Sequence, residues 1–118
     1  MAVVSITENR LTVELHGWRR VLALKHRILV PMEHVRGATM DDGVLQEPKG
    51  VRAPGLHLPG IALGSFHRDG DWTFWEADVR DRPVVVELTG ERYARLVLRV
   101  DDPRAVVDEI NRVVAASA

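Results

Sequence analysis

The chain has 118 residues, 46% of them hydrophobic, with 16 basic against 17 acidic side chains and no cysteine. That length supports one core and is too short for two ordinary domains, so residues 1–118 read as a single domain. The near-neutral balance argues against a general nucleic-acid binder, and the missing cysteines exclude disulfides, thiolate nucleophiles and Cys-based zinc sites.

Taken in order, Ala2 to Thr7 and Leu11 to Leu15 are short runs of alternating apolar character, and Glu8-Asn9-Arg10 between them reads as a tight turn. The start lacks a basic region followed by a long apolar run, and no stretch reaches the length of a membrane-spanning helix, so the expected location is cytoplasmic. Trp18, Arg19 and Arg20 follow, Val21 to Leu24 and Arg27 to Val30 carry extended character on either side of Lys25 and His26, and Pro31 then breaks the pairing. Residues 1–40 carry six basic against three acidic residues, which makes the N-terminal part the basic one. Met32 to His34 predicts one irregular or helical turn, and Val35 to Met40 another strand.

From Gly43 to Gly60 the pattern dissolves among Pro48, Pro54, Pro59 and four glycines, which predicts a long loop without regular structure. Ile61 to Phe66 and Trp72 to Val79 then form an expected hairpin across Arg68-Asp69-Gly70-Asp71. Trp72 and Phe74 share one face of that strand and Trp75 takes the other, where it is expected to be exposed or to lie under the long loop. Glu76, Asp78 and Asp81 beside Arg80 and Arg82 read as a salt-bridged outer face.

The last third carries the most consistent pattern. Val84, Val86 and Leu88 alternate with Val85, Glu87 and Thr89, and Leu96, Leu98 and Val100 with Val97 and Arg99, so each run offers one apolar face and the two are expected to pair with Val86 opposite Leu98. Asp102-Pro103 supplies an N-cap and a first helical residue. Val106, Val107, Ile110, Val113 and Val114 then recur at helical spacing, with Asp108 and Arg112 placed to pair across the exposed side. The fold class that follows is α+β, mainly β: a bent antiparallel sheet or open barrel of about seven strands closed by a C-terminal amphipathic helix.

This order of signals resembles the bacterial pleckstrin-homology-like (PH-like) domain family. VVVELTGERYARLVLRVDDPRAVVDEI is similar to the last two strands and closing helix of that family. GWRRVLALKHRILVPMEHV and GLHLPGIALGSFHRDGDWTFWEADV are similar to small uncharacterised members from high-GC bacteria. The resemblance implies a scaffold whose bound partner varies. Members that bind phosphoinositides use a basic loop between early strands, and Lys25-His26-Arg27 is the nearest equivalent here.

No reactive constellation emerges. The five histidines lack metal-ligand spacing, Ser65 lacks the second glycine of a nucleophile elbow, and no Walker loop occurs, so neither catalysis, a metal nor a cofactor is expected. The expected function is a non-enzymatic module that binds a protein partner or itself. The alternatives are an anionic-membrane module using the basic turn, or a small-ligand carrier or enzyme with a pocket under the Gly43 to Gly60 loop. Candidate binding residues are Trp18, Arg19, Arg20, Lys25, Arg27, Arg52, His57 and Trp75.

Overall fold

The computed structural model describes residues 2–15, 27–41, 51–58, 61–68, 70–78 and 82–117, with backbone alone for 51–58, 61–63 and 78. Nine strands and one helix are found among them: β1 (Ala2–Thr7), β2 (Arg10–Leu15), β3 (Arg27–Pro31), β4 (Val35–Met40), β5 (Val51–Leu58), β6 (Ile61–Arg68), β7 (Asp71–Asp78), β8 (Val84–Leu88), β9 (Tyr93–Leu98) and α1 (Pro103–Ala116). The mainly-β, α+β class is as expected. The described strands number nine against the expected seven or so, and the one not foreseen is Val51–Leu58, which reads from its proline and glycines as loop but pairs antiparallel with β6. Pro54 is accommodated because the register shifts between Arg52 and Gly55, where the ladder does not need its missing N–H. Residues 43–50, 59 and 60 of the expected loop lie outside the described residues.

The strands form two sheets, β1-β2-β3 and β4-β8-β9-β7-β6-β5. Each alternating strand places one row of side chains into a shared core. Leu11, Val13, Leu15, Ile28 and Val30 come from the small sheet, and Phe74, Val84, Val86, Leu96 and Leu98 from the large one. A 3₁₀ turn at Met32–His34 carries the chain from one sheet to the other, and its Met32 joins the core. The expected β8–β9 face is preserved, but its register is displaced by two residues: Val84 pairs with Leu98 and Val86 with Leu96. Val100 is thereby released from β8 and bridges Ala2 in parallel instead. A two-residue displacement keeps every side chain on its own face, so the pattern alone does not distinguish the two registers.

All described strand pairs are antiparallel except β7–β9, which are parallel neighbours. On the opposite face of the large sheet Phe66, Trp75, Ala77, Val85 and Val97 make a second buried cluster. α1 begins as its sequence demands, with the Asp102 carboxylate accepting from the Ala105 N–H at 3.2 Å and Pro103 in the first turn. Its Ile110 is fully buried, with Val106, Val107, Val113 and Val114 packed against the core. On its exposed side Arg112 pairs with Glu109 at 3.0 Å, three residues away, rather than with the expected Asp108. Both spacings bring side chains together on a helix surface. No helix among the described residues is long and apolar enough to cross a membrane.

Candidate interaction surface

The β1–β2 hairpin turns through Glu8 and Asn9, both at positive φ (53° and 61°), as a two-residue type I′ turn requires. Thr7 faces Arg10 across that turn. In such a hairpin the closing pair exchanges hydrogen bonds, and alternate residues do so thereafter, so Thr7, Ser5 and Val3 bond to β2. The N–H and C=O groups of Ala2, Val4 and Ile6 consequently point away from β2. Ala2 confirms the sense, because its N–H donates outward to the Arg99 carbonyl at 2.8 Å. β2 is the only strand paired with β1 among the described residues, so Val4 and Ile6 present an open backbone edge.

That edge borders a groove of about 340 Å³ between β1 and the first half of α1. Ile110 forms its buried floor, Val4, Ile6 and Val106 are half-buried walls, and the exposed carboxylates of Asp102 and Glu109 stand at its rim. Among the described residues its lining holds two acidic side chains and no basic one. The helix puts Asp102, Val106, Glu109 and Ile110 along one stripe because they lie three or four positions apart.

The other end of α1 does the reverse to the edge of β4. Asn111 Oδ1 accepts from the Ala38 N–H at 2.8 Å, and Asn111 Nδ2 donates to the Ala38 carbonyl at 2.9 Å. The side-chain amide thus stands where a neighbouring strand's peptide would. An open hollow of about 560 Å³ beside it is bordered by Arg36, Thr39, Glu87 and Asn111.

Of the candidates read from sequence, Trp18, Arg19, Arg20 and Lys25 lie outside the described residues. Arg27 is exposed at the start of β3 and faces Glu14 at 3.8 Å. Arg52 and His57 lie on β5, the terminal strand of the large sheet, where only the backbone is described. Trp75 is not an exposed binding residue. It is 1% exposed, packed in the second cluster, with the Arg95 guanidinium 5.8 Å from its ring centre. Both faces of the central strand β7 are covered, so alternation there separates two cores rather than core from solvent. For the same reason Glu76 does not belong to a salt-bridged outer face. It is fully buried on the Phe74 side, and the Arg99 N–H donates to its carbonyl at 2.7 Å and approaches its carboxylate at 3.3 Å.

Other polar and aromatic contacts among the described residues tie elements of the fold together. Ser65 and Tyr93 hydroxyls meet at 2.7 Å in the interior, Arg92 lies 5.5 Å from the Trp72 ring centre, and the His67 and Trp72 rings are 5.0 Å apart. The His34 ring hydrogen-bonds Glu91 and its carbonyl accepts from the Thr89 N–H, which ties the 3₁₀ turn to the β8–β9 connection. Among the described residues no group of three His, Asp or Glu side chains converges on a metal position. Comparison with protein-family models, curated proteins and solved structures finds no match to this chain.

Sequence reasoning missed Val4, Ile6, Asp102 and Glu109 as members of one surface. Each is legible singly, as strand, cap or helix residue. Their meeting depends on α1, packed against β4, coming to lie across the groove from β1, which no local pattern encodes.

Proposed function

We propose that this chain is a non-enzymatic interaction module, of the PH-like kind, that takes up an extended segment of a protein partner along β1. The observation that carries the reading is the outward-turned backbone of Val4 and Ile6 beside an apolar groove. A sheet edge of this kind supplies affinity through main-chain hydrogen bonds, and an adjacent groove supplies pockets for alternate side chains. Folded proteins otherwise blunt such edges with charge, proline or a covering element, and β1, with the sequence AVVSIT, carries none of the first two.

The test is a peptide-display selection against the folded chain, with amide chemical shifts to locate the selected peptides. They are expected to perturb Val4, Ile6 and Val106 and to lose binding to Val4→Pro, which removes an outward N–H without removing a bond to β2. Peptides that perturb other surfaces, or that bind Val4→Pro as well as wild type with its fold intact, would refute the reading.

A further inference from the structure

We infer that the β1 groove selects a short, apolar, extended segment of another protein carrying a lysine or arginine among its inward-facing residues. This rests on the proposal that β1 takes up a partner strand, and it adds the side-chain chemistry and the length. At one end of the open edge Ala2 is already bonded to Arg99 and paired with Val100. At the other end the chain turns away at Glu8 and Asn9. Between them Val4 and Ile6 offer two outward N–H and two outward C=O groups, which an extended segment of about five residues satisfies at roughly 3.3 Å per residue.

Inward side chains of that segment meet Val4, Ile6, Val106 and Ile110, which calls for apolar residues. The rim calls for a cation. Asp102 uses Oδ1 on the Ala105 N–H, and Glu109 uses Oε2 on Arg112, which leaves Asp102 Oδ2 and Glu109 Oε1 without a partner among the described residues. An acidic inward residue would instead bring like charges together at the edge of an apolar surface, a penalty that discriminates between partners. A second copy of this chain is the poorer occupant. Its own β1, AVVSIT, has no basic residue, so edge-to-edge pairing would leave both pairs of rim carboxylates without a countercharge.

The experiment uses capped heptapeptides with threonine at odd positions, valine at the second and sixth, and lysine, leucine or glutamate at the fourth. Each is titrated into the full chain, with amide shifts and calorimetry as readouts. The lysine peptide is expected to shift Val4, Ile6, Val106 and Ile110 and to bind about tenfold more tightly than the glutamate peptide, a preference that weakens with added salt. Asp102→Asn/Glu109→Gln should reduce the preference to about twofold or less. Asparagine still caps a helix and an exposed Glu–Arg pair contributes little, so the double variant keeps its fold. Equal binding of all three peptides in the groove would overturn the charge selection while leaving strand uptake standing. Absence of groove shifts with every peptide would overturn both. A chain that dimerises without peptide, with the same groove amides shifting on dilution, would show that a second copy is the occupant and would also overturn the inference.

Discussion

Asn111 holds Ala38 by both ends of one side-chain amide, accepting from its N–H at 2.8 Å and donating to its C=O at 2.9 Å. The pair joins the helix to the outer edge of the six-stranded sheet and does so where β4 has no strand beside it among the described residues. Asn111→Leu leaves both Ala38 groups to find water beside a half-covered edge. It should cost about 1–3 kcal/mol in urea unfolding, compared with a few tenths for Arg112→Ala on the exposed side of the same helix. Gly37 belongs to this arrangement, since a Cβ there would lie 3.3 Å from Asn111 Oδ1. Gly37→Val should therefore weaken the same lock.

The Glu8-Asn9 turn holds two non-glycine residues at positive φ. Type I′ turns favour Asn-Gly, and left-handed backbone costs an ordinary L-residue about 1 kcal/mol. Glu8→Asn/Asn9→Gly should raise stability by about 1 kcal/mol without changing the hairpin register. Thermal unfolding with hydrogen-exchange protection across β1 and β2 reads both effects.

Trp75 sits in the second cluster on the far side of the large sheet. Trp75→Ala should cost about 3–5 kcal/mol, as large-to-small changes of buried aromatics do. In a chain keeping Trp75 as its sole tryptophan, emission should be blue-shifted and poorly quenched by acrylamide. An interface tryptophan would show ready quenching and little loss of stability.

Ser65 and Tyr93 share an interior hydroxyl contact at 2.7 Å. Tyr93→Phe should cost about 1–3 kcal/mol, because the Ser65 hydroxyl stays buried after its partner is removed. Adding Ser65→Ala should restore part of the loss, giving a double-mutant cycle with clear coupling.

The elements that were legible in sequence are those whose signal is local. Asp102-Pro103 marks the helix start, Val84, Val86, Leu96 and Leu98 identify a buried strand face, and Arg68 to Asp71 marks a hairpin. What was not legible depends on a second element covering the first. Trp75 and Glu76 lie in a strand buried on both faces, so period two no longer sorts inside from outside. Pro54 disguised β5 because a bulge that tolerates proline has no sequence signature distinct from a loop. Of the candidate surface, the apolar character of Val4, Ile6 and Val106 could be read, and the carboxylates beside them could not be placed there before the helix was seen across the groove from β1.

The parallel pairing of β7 and β9 sets a timetable for the nascent chain. β9 lies between β7 and β8, although it is the last of the three to leave the ribosome. Until Leu98 has emerged, β5-β6-β7 and β4-β8 have no strand to join them, and each presents a raw central edge. The sheet is completed by filling its middle rather than by growing from one side. A stalled or truncated product ending before Tyr93 would thus be two unjoined half-sheets, with exposed pairing edges that invite aggregation.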